Sequence, residues 1–116
     1  MISEEELLQR ISATFPDFKG MTSDTINCLS DFTLYLADKE GDSKMFARTT
    51  EDLCKLLNEI YPHVAEGLDT CLQSEILEFY ASNDTRFMLA KRFLTVDVLY
   101  QLEEARENVE HFRKFQ

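Results

Sequence analysis

The sequence predicts an all-α protein, a compact bundle of five to six helices that forms one domain over residues 1–116. Only three glycines and two prolines interrupt the chain, so turns are few and the elements between them are long. Apolar residues recur every three to four positions, which is the spacing of one face of an α-helix. At 44% hydrophobic residues, a chain of 116 residues is large enough to bury a single core.

The first helix is predicted by a capping box, because Ser3 is followed three residues later by Glu6. Its apolar face consists of Leu7, Leu8, Ile11 and Phe15, directly before Pro16. The second helix is predicted from about Ser23, with Ile26, Leu29, Phe32 and Leu36 on its apolar face. We expect Gly41 to end it in the left-handed conformation. Phe32, Leu34 and Leu36 also alternate as in a strand, but the helix is preferred.

A third and a fourth helix follow in the middle of the chain. Thr49 and Thr50 are expected to cap the third helix. It should end at Tyr61, because the residue before a proline is pushed out of the helical region. The fourth helix is predicted from about Val64 to Ala81.

The C-terminal part is predicted to hold a turn at residues 82–85, a short or continued helix over residues 86–94 and a long last helix. The apolar stripe of the last helix consists of Val98, Leu102, Ala105, Val109 and Phe112.

The net charge of −10 belongs to the folded body, because each half of the chain carries 11 of the 22 acids and 6 of the 12 basic residues. This charge repels nucleic acid and anionic lipid, so we expect no direct nucleic-acid ligand and no membrane partner. It suits a basic protein partner, or solubility alone. The sequence has no signal peptide and no apolar run of membrane-spanning length, which predicts a cytoplasmic protein. Cys28, Cys54 and Cys71 are expected to be small core residues.

Catalytic motifs are not recognisable in this sequence. His63 and His111 are the only histidines, and neither stands in a nucleophile-activating motif. The isolated glycines form no phosphate-binding loop. Glu107 and His111 lie one helical turn apart but project away from the apolar stripe, so a solvated pair is preferred over a metal site. We therefore predict no catalytic residue, no cofactor and no metal, and a protein that is not an enzyme.

Two acidic features are the candidate binding surfaces. Between Lys55 and Arg86 the chain has no lysine or arginine, and Glu66 and Asp69 in this interval are predicted to contact a partner. On the last helix a tyrosine stands among carboxylates, an arrangement suited to a basic protein. The predicted contacts there are Tyr100, Glu103, Glu104, Glu107 and Glu110.

Glu75 is a candidate buried charge, because a helical wheel places it in the middle of an apolar face formed by Leu68, Cys71, Leu72, Ile76 and Phe79. Three interpretations stay open. The helix breaks at Ser74 and Glu75 is a first-turn acid. Glu75 is buried and pairs with one of three cations, Arg86, Lys91 or Arg92. The apolar face with its acid is partly exposed as a docking surface.

These observations favour a small acidic binding protein that neutralises a basic protein partner. In general form, though not in motif, it resembles the helical immunity proteins that bacteria make against DNase toxins. The resemblance implies an inhibitor of a bacterial toxin. Two alternatives are a nucleic-acid-mimicking inhibitor such as a phage-encoded one, and a small helical enzyme or ligand-binding domain whose site has no recognisable motif.

Overall fold

Six helices form the part of the chain that the computed structural model describes, residues 1–20 and 24–114. Helix α1 is Glu4–Thr14, α2 is Thr25–Lys39 and α3 is Ser43–Ile60, followed by a 3₁₀ turn at Tyr61–His63. Helix α4 spans residues 68–81, α5 is Asp84–Lys91 and α6 is Val96–Lys114. The prediction of an all-α bundle of five to six helices is confirmed.

The first two helices begin at capping side chains. The Ser3 hydroxyl accepts a hydrogen bond from the backbone N–H of Glu6 at 3.2 Å, as the capping box predicts. Helix α2 is capped by Asp24, and the predicted start at Ser23 lies outside the described residues. Residues 32–36 are helical, so the helix was the correct interpretation of that segment.

The expectation for Gly41 is wrong. Helix α2 ends at Lys39 in a right-handed turn. Among the glycines of the described chain, Gly67 is the one with a positive φ, 95°. A left-handed residue is needed at Gly67 because the backbone there reverses from an extended segment into α4.

The predicted caps of α3 are also wrong. Asp42 caps this helix by accepting from the backbone N–H groups of Lys44 and Met45 at 3.1 and 3.2 Å, so it begins one and a half turns before Thr49. Thr49 and Thr50 instead lie buried in its interior. The Thr50 hydroxyl shares a buried hydrogen bond of 2.9 Å with the Tyr80 hydroxyl.

The segment between α3 and α4 is fixed by the N-terminus. The Ile2 backbone N–H donates to the His63 carbonyl at 2.6 Å, and the Ala65 N–H donates to the Ile2 carbonyl at 2.9 Å. Val64 is therefore extended and forms a parallel bridge with Ile2. This pairing is why α4 begins at Leu68, four residues later than predicted.

Helix α4 contains a π-helical turn at Gln73–Leu77, between α-helical ends at Leu68–Leu72 and Glu78–Ala81. A π turn has more residues than an α turn and widens the face that one side of a helix can bury. Ile76 and Leu77, which are consecutive, are both 1% exposed. The Thr33 hydroxyl on α2 lies 3.1 Å from the Glu75 carbonyl oxygen and satisfies a backbone group within this turn.

Helix α4 packs between α2 and α6, and its buried face forms the middle of the core. Leu68, Leu72 and Ile76 are buried as predicted, whereas Phe79 is half-buried. On α6 the stripe is buried at its first three members, Val98, Leu102 and Ala105. Val109 is half-buried and Phe112 is 65% exposed, so the predicted stripe does not extend to the end of α6.

Cys28, Cys54 and Cys71 are not joined by a disulfide. Cys28 and Cys54 are buried, as expected, and Cys71 is half-buried. Burial raises the pKa of the Cys54 thiol to about 12.

Within residues 1–20 and 24–114, no helix combines the length and the apolar character needed to cross a bilayer.

The Thr50–Tyr80 hydrogen bond yields a stability prediction. Tyr80→Phe leaves the buried Thr50 hydroxyl without this partner and should lower the free energy of unfolding by about 1–2 kcal/mol. The double variant Tyr80→Phe, Thr50→Val removes both polar groups and should be less destabilised than the two single variants summed. Urea unfolding of all four proteins measures both effects. Strict additivity would show that the two hydroxyls are not coupled.

Candidate partner-binding grooves

An open groove of about 640 Å³ lies where the turn after α3 meets the starts of α4 and α6. We call it the tyrosine groove. It is lined by Met1, Tyr61, Pro62, Val64, Glu66, Asp69, Asp97, Val98, Tyr100 and Gln101. Residues from four separate parts of the chain therefore form one surface.

Hydrogen bonds between these parts hold the tyrosine groove in place. The Tyr61 hydroxyl donates to the Asp69 carbonyl at 3.1 Å, which ties the 3₁₀ turn to the start of α4. The Asn58 side chain donates to the Phe93 carbonyl at 2.9 Å and accepts from the Thr95 backbone N–H at 3.0 Å. These two bonds fix the start of α6 beside the end of α3.

The electrostatics of the tyrosine groove are one-sided. Its lining includes the carboxylates of Glu66, Asp69 and Asp97 and, in this part of the described chain, no lysine, arginine or histidine. Burial raises the pKa of the Tyr61 hydroxyl, and the negative charges of Asp69 and Glu104 raise it further. Tyr61 is therefore a neutral hydrogen-bonding phenol in an acidic surrounding throughout the physiological pH range.

The structure brings together only part of the predicted contact set. Glu66, Asp69 and Tyr100 line the tyrosine groove, and Glu104 is close enough to act on Tyr61. Three other predicted contacts are exposed on α6 outside the lining: Glu103, Glu107 and Glu110. Glu110 also lies 3.4 Å from Arg106, which partly neutralises it.

Tyr61 and Asp97 belong to the tyrosine groove but were not predicted. In the sequence Tyr61 marks the end of a helix before Pro62, and Asp97 is an ordinary first-turn acid. The signal that could have found Tyr61 is the glycine of "GLDT", which permits a turn shortly after Tyr61. Helix α4 begins at Leu68, seven residues after Tyr61, and the Asp69 carbonyl accepts from the Tyr61 hydroxyl.

A second open groove, of about 480 Å³, lies beside the π turn of α4. We call it the glutamate groove. It is lined by Thr33, Glu75, Glu78, Phe79, Ser82, Val109, Phe112 and Arg113. It combines two carboxylates with apolar surface from α4 and from the exposed end of α6.

Glu75 in this groove is half-buried, and it is not the buried charge that the helical wheel predicts. Its carboxylate accepts a hydrogen bond from the Ser30 hydroxyl at 3.0 Å. The helix does not break at Ser74, whose hydroxyl donates to the Cys71 carbonyl within α4. The continuous helix excludes the first interpretation. The bond to Ser30 of α2, with no ion pair to Glu75 among the described residues, excludes the second.

The expected cationic partners of Glu75 are used elsewhere. Arg86 forms two hydrogen bonds to the Glu40 carboxylate, at 2.6 and 2.8 Å, and its guanidinium lies 4.0 Å from the centre of the Phe79 ring. The side chains of Lys91 and Arg92 lie over aromatic rings. Among the described residues, no ion pair joins a cation to Glu75 or Glu78.

Burial raises the pKa of the Glu78 carboxyl, and the nearby charge of Glu75 raises it further. The two carboxylates therefore repel each other at neutral pH. Arg113 lines the same groove, but its guanidinium donates to the Ser82 carbonyl at 2.8 Å. Over residues 1–20 and 24–114, no three histidine, cysteine or acidic side chains are grouped to hold a metal ion.

The raised pKa of Glu78 predicts a pH-dependent stability effect. A carboxyl whose pKa is raised in the folded state destabilises the fold increasingly as pH rises from its unfolded-state pKa to its folded-state pKa, and the full effect persists at higher pH. Glu78→Gln should therefore raise the melting temperature at pH 7, and the gain should shrink as pH falls below the folded pKa. Thermal unfolding across this pH range is the measurement, with the exposed Asp38→Asn as the control. A gain that is independent of pH would contradict the assignment.

No protein-family model matches the chain, and no curated protein and no solved structure matches it significantly.

Proposed function

We propose that this protein is a small acidic binding protein that neutralises a basic protein partner, as an immunity-type inhibitor neutralises a bacterial toxin. The partner is held in the tyrosine groove and is not chemically changed. The observation that carries the proposal is the composition of that groove: two tyrosines and three carboxylates at one open surface, with no lysine, arginine or histidine in its described lining.

The tyrosines supply contact area. Tyr100 is 66% exposed although its ring is large and apolar, and Tyr61 is half-buried next to it in the same lining. Tyrosine is enriched at protein interfaces because its ring buries apolar area while its hydroxyl forms hydrogen bonds. Burying two such rings beneath a partner is the step that makes the complex long-lived.

The carboxylates supply the choice of partner and the speed of association. Glu66, Asp69 and Asp97 lie within one groove, and the body around them carries a net charge of −10. Opposite fields accelerate protein association by about 10–10³-fold at low salt. A basic surface such as the active cleft of a nucleic-acid-cleaving toxin has the matching sign.

The test is a charge reversal at Glu66, which lines the groove, and at Glu104, which lies outside the lining but near Tyr61. Glu66→Lys with Glu104→Lys changes two exposed side chains for which no structural hydrogen bond or ion pair is found, so the fold should be kept. We expect these changes to slow association with the basic partner about tenfold or more at low salt, with a smaller deficit as salt screens the field. The first candidate partner is the product of the neighbouring gene. Stopped-flow or biosensor kinetics at several salt concentrations measure the rate.

The matched control is Asp38→Lys with Asp52→Lys, which changes the net charge equally on exposed residues outside both grooves. It should slow association much less. Equal slowing by both variants would show that only the net charge matters and would remove the groove from the proposal. Turnover of a small substrate by the protein would replace the binding function with an enzymatic one.

A further inference from the structure

The glutamate groove and the tyrosine groove lie along the same pair of helices. Asp69 and Gln101 line the tyrosine groove, whereas Glu78 and Val109 line the glutamate groove. Helices α4 and α6 therefore run in the same direction, with one groove near the start of the pair and the other near its end. Between the grooves the Gln73 side-chain amide donates to the Gln101 carbonyl at 3.4 Å.

We propose that the glutamate groove is a second contact site, which takes a basic amphipathic helical segment of the partner. This inference rests on the proposed function in one respect, that the segment belongs to the same basic partner. A lysine or arginine of the segment lies between Glu75 and Glu78, and an apolar side chain of the segment packs against Phe112.

Two carboxylates and one cation, Arg113, line the groove, so its described lining keeps a net negative charge that favours a cation. The Arg113 guanidinium donates to the Ser82 carbonyl at 2.8 Å. Glu75 and Glu78 are close enough for one charge to oppose the other, and neither forms an ion pair among the described residues. The Ser30 hydroxyl satisfies one oxygen of Glu75 without neutralising it. A cation placed between the two carboxylates removes this repulsion and gains a charge-assisted hydrogen bond to each of them.

The apolar part of the groove selects the second side chain. Phe112 is 65% exposed at the end of α6, and the same groove holds the half-buried rings and methyl groups of Phe79 and Val109. Apolar surface beside two carboxylates fits a segment that carries an apolar residue one helical turn from a basic one, because residues three or four apart lie on the same helix face.

The separation of the grooves sets the length of the segment. The ten residue-to-residue steps from Asp69 to Phe79 span about 15 Å along α4 at 1.5 Å per step. A helix of about 16 residues, or about 24 Å, is long enough to reach both grooves. Simultaneous engagement strengthens binding because the second contact becomes intramolecular.

The probe for the test is a synthetic helical peptide of about 16 residues with lysine and leucine one turn apart, and its control is the same peptide with glutamate in place of each lysine. Amide ¹H–¹⁵N chemical shifts of the protein are followed during titration. We expect saturable shifts at Glu75, Glu78, Phe112 and their neighbours with the lysine peptide alone. Shifts near Tyr61 and Tyr100 report the tyrosine groove independently in the same spectra.

Two variants decide whether the groove itself binds. Glu75→Gln with Glu78→Gln keeps both side-chain shapes and should weaken the peptide about fivefold or more, and Phe112→Ala should also weaken it. The control Asp38→Asn with Asp52→Asn makes the same charge change outside both grooves and should leave the affinity unchanged. Dispersion of the amide spectrum verifies that each variant is folded.

The outcomes separate the two proposals. Absent binding, shifts confined to the tyrosine groove, or equal weakening by the Asp38→Asn, Asp52→Asn control would overturn the second contact site. Shifts at the glutamate groove without any at Tyr61 or Tyr100 would instead keep this site and count against the tyrosine groove of the proposed function.

Discussion

The rest of the structure depends on the π turn at Gln73–Leu77 in α4. Ile76 and Leu77 of this turn are both 1% exposed, and the turn packs against both α2 and α6. Each fully buried aliphatic side chain contributes about 1.5–3 kcal/mol, so losing either residue from the core would cost a large part of the stability of a domain this size. The same turn places Glu75 and Glu78 at the surface.

Three cations, Arg86, Arg106 and Lys39, pair with acids that lie outside the two grooves. The carboxylates that line the grooves are not among these pairs. Arg86 bridges α5 to Glu40 at the end of α2, Arg106 bridges α6 to Asp84 at the start of α5, and Lys39 pairs with Asp17 at 3.1 Å. Partly exposed ion pairs of this kind contribute little to stability, about 0–1 kcal/mol each. Their larger effect is on the surface field, because among the described residues the carboxylates that line the two grooves form no ion pair.

The two grooves also show how an acidic sequence is organised in space. Four of the acids in the segment between Lys55 and Arg86 line the grooves: Glu66, Asp69, Glu75 and Glu78. The segment without lysine or arginine folds into α4 and the turn before it, and Arg113 of α6 is the cationic side chain that joins these acids in the described groove linings. The negative field is concentrated where aromatic side chains are exposed, which is the combination that protein recognition uses.

The sequence by itself determined the all-α class, the capping of α1 and the burial of Leu68, Leu72 and Ile76, because caps and apolar spacing act over a few neighbouring residues. Helix α3 ends at Ile60, close to the predicted Tyr61, but Tyr61 keeps helical angles of φ −55° and ψ −42° in the 3₁₀ turn, so the predicted reason is wrong. It also predicted Glu66, Asp69 and Tyr100 as candidate contacts for a partner. The tertiary structure alone decided that Tyr61 and Asp97 join them, that Arg86 pairs with Glu40, and that Glu75 bonds to Ser30. These contacts join residues distant in the chain, and a π turn shifts the helical phase on which a wheel depends.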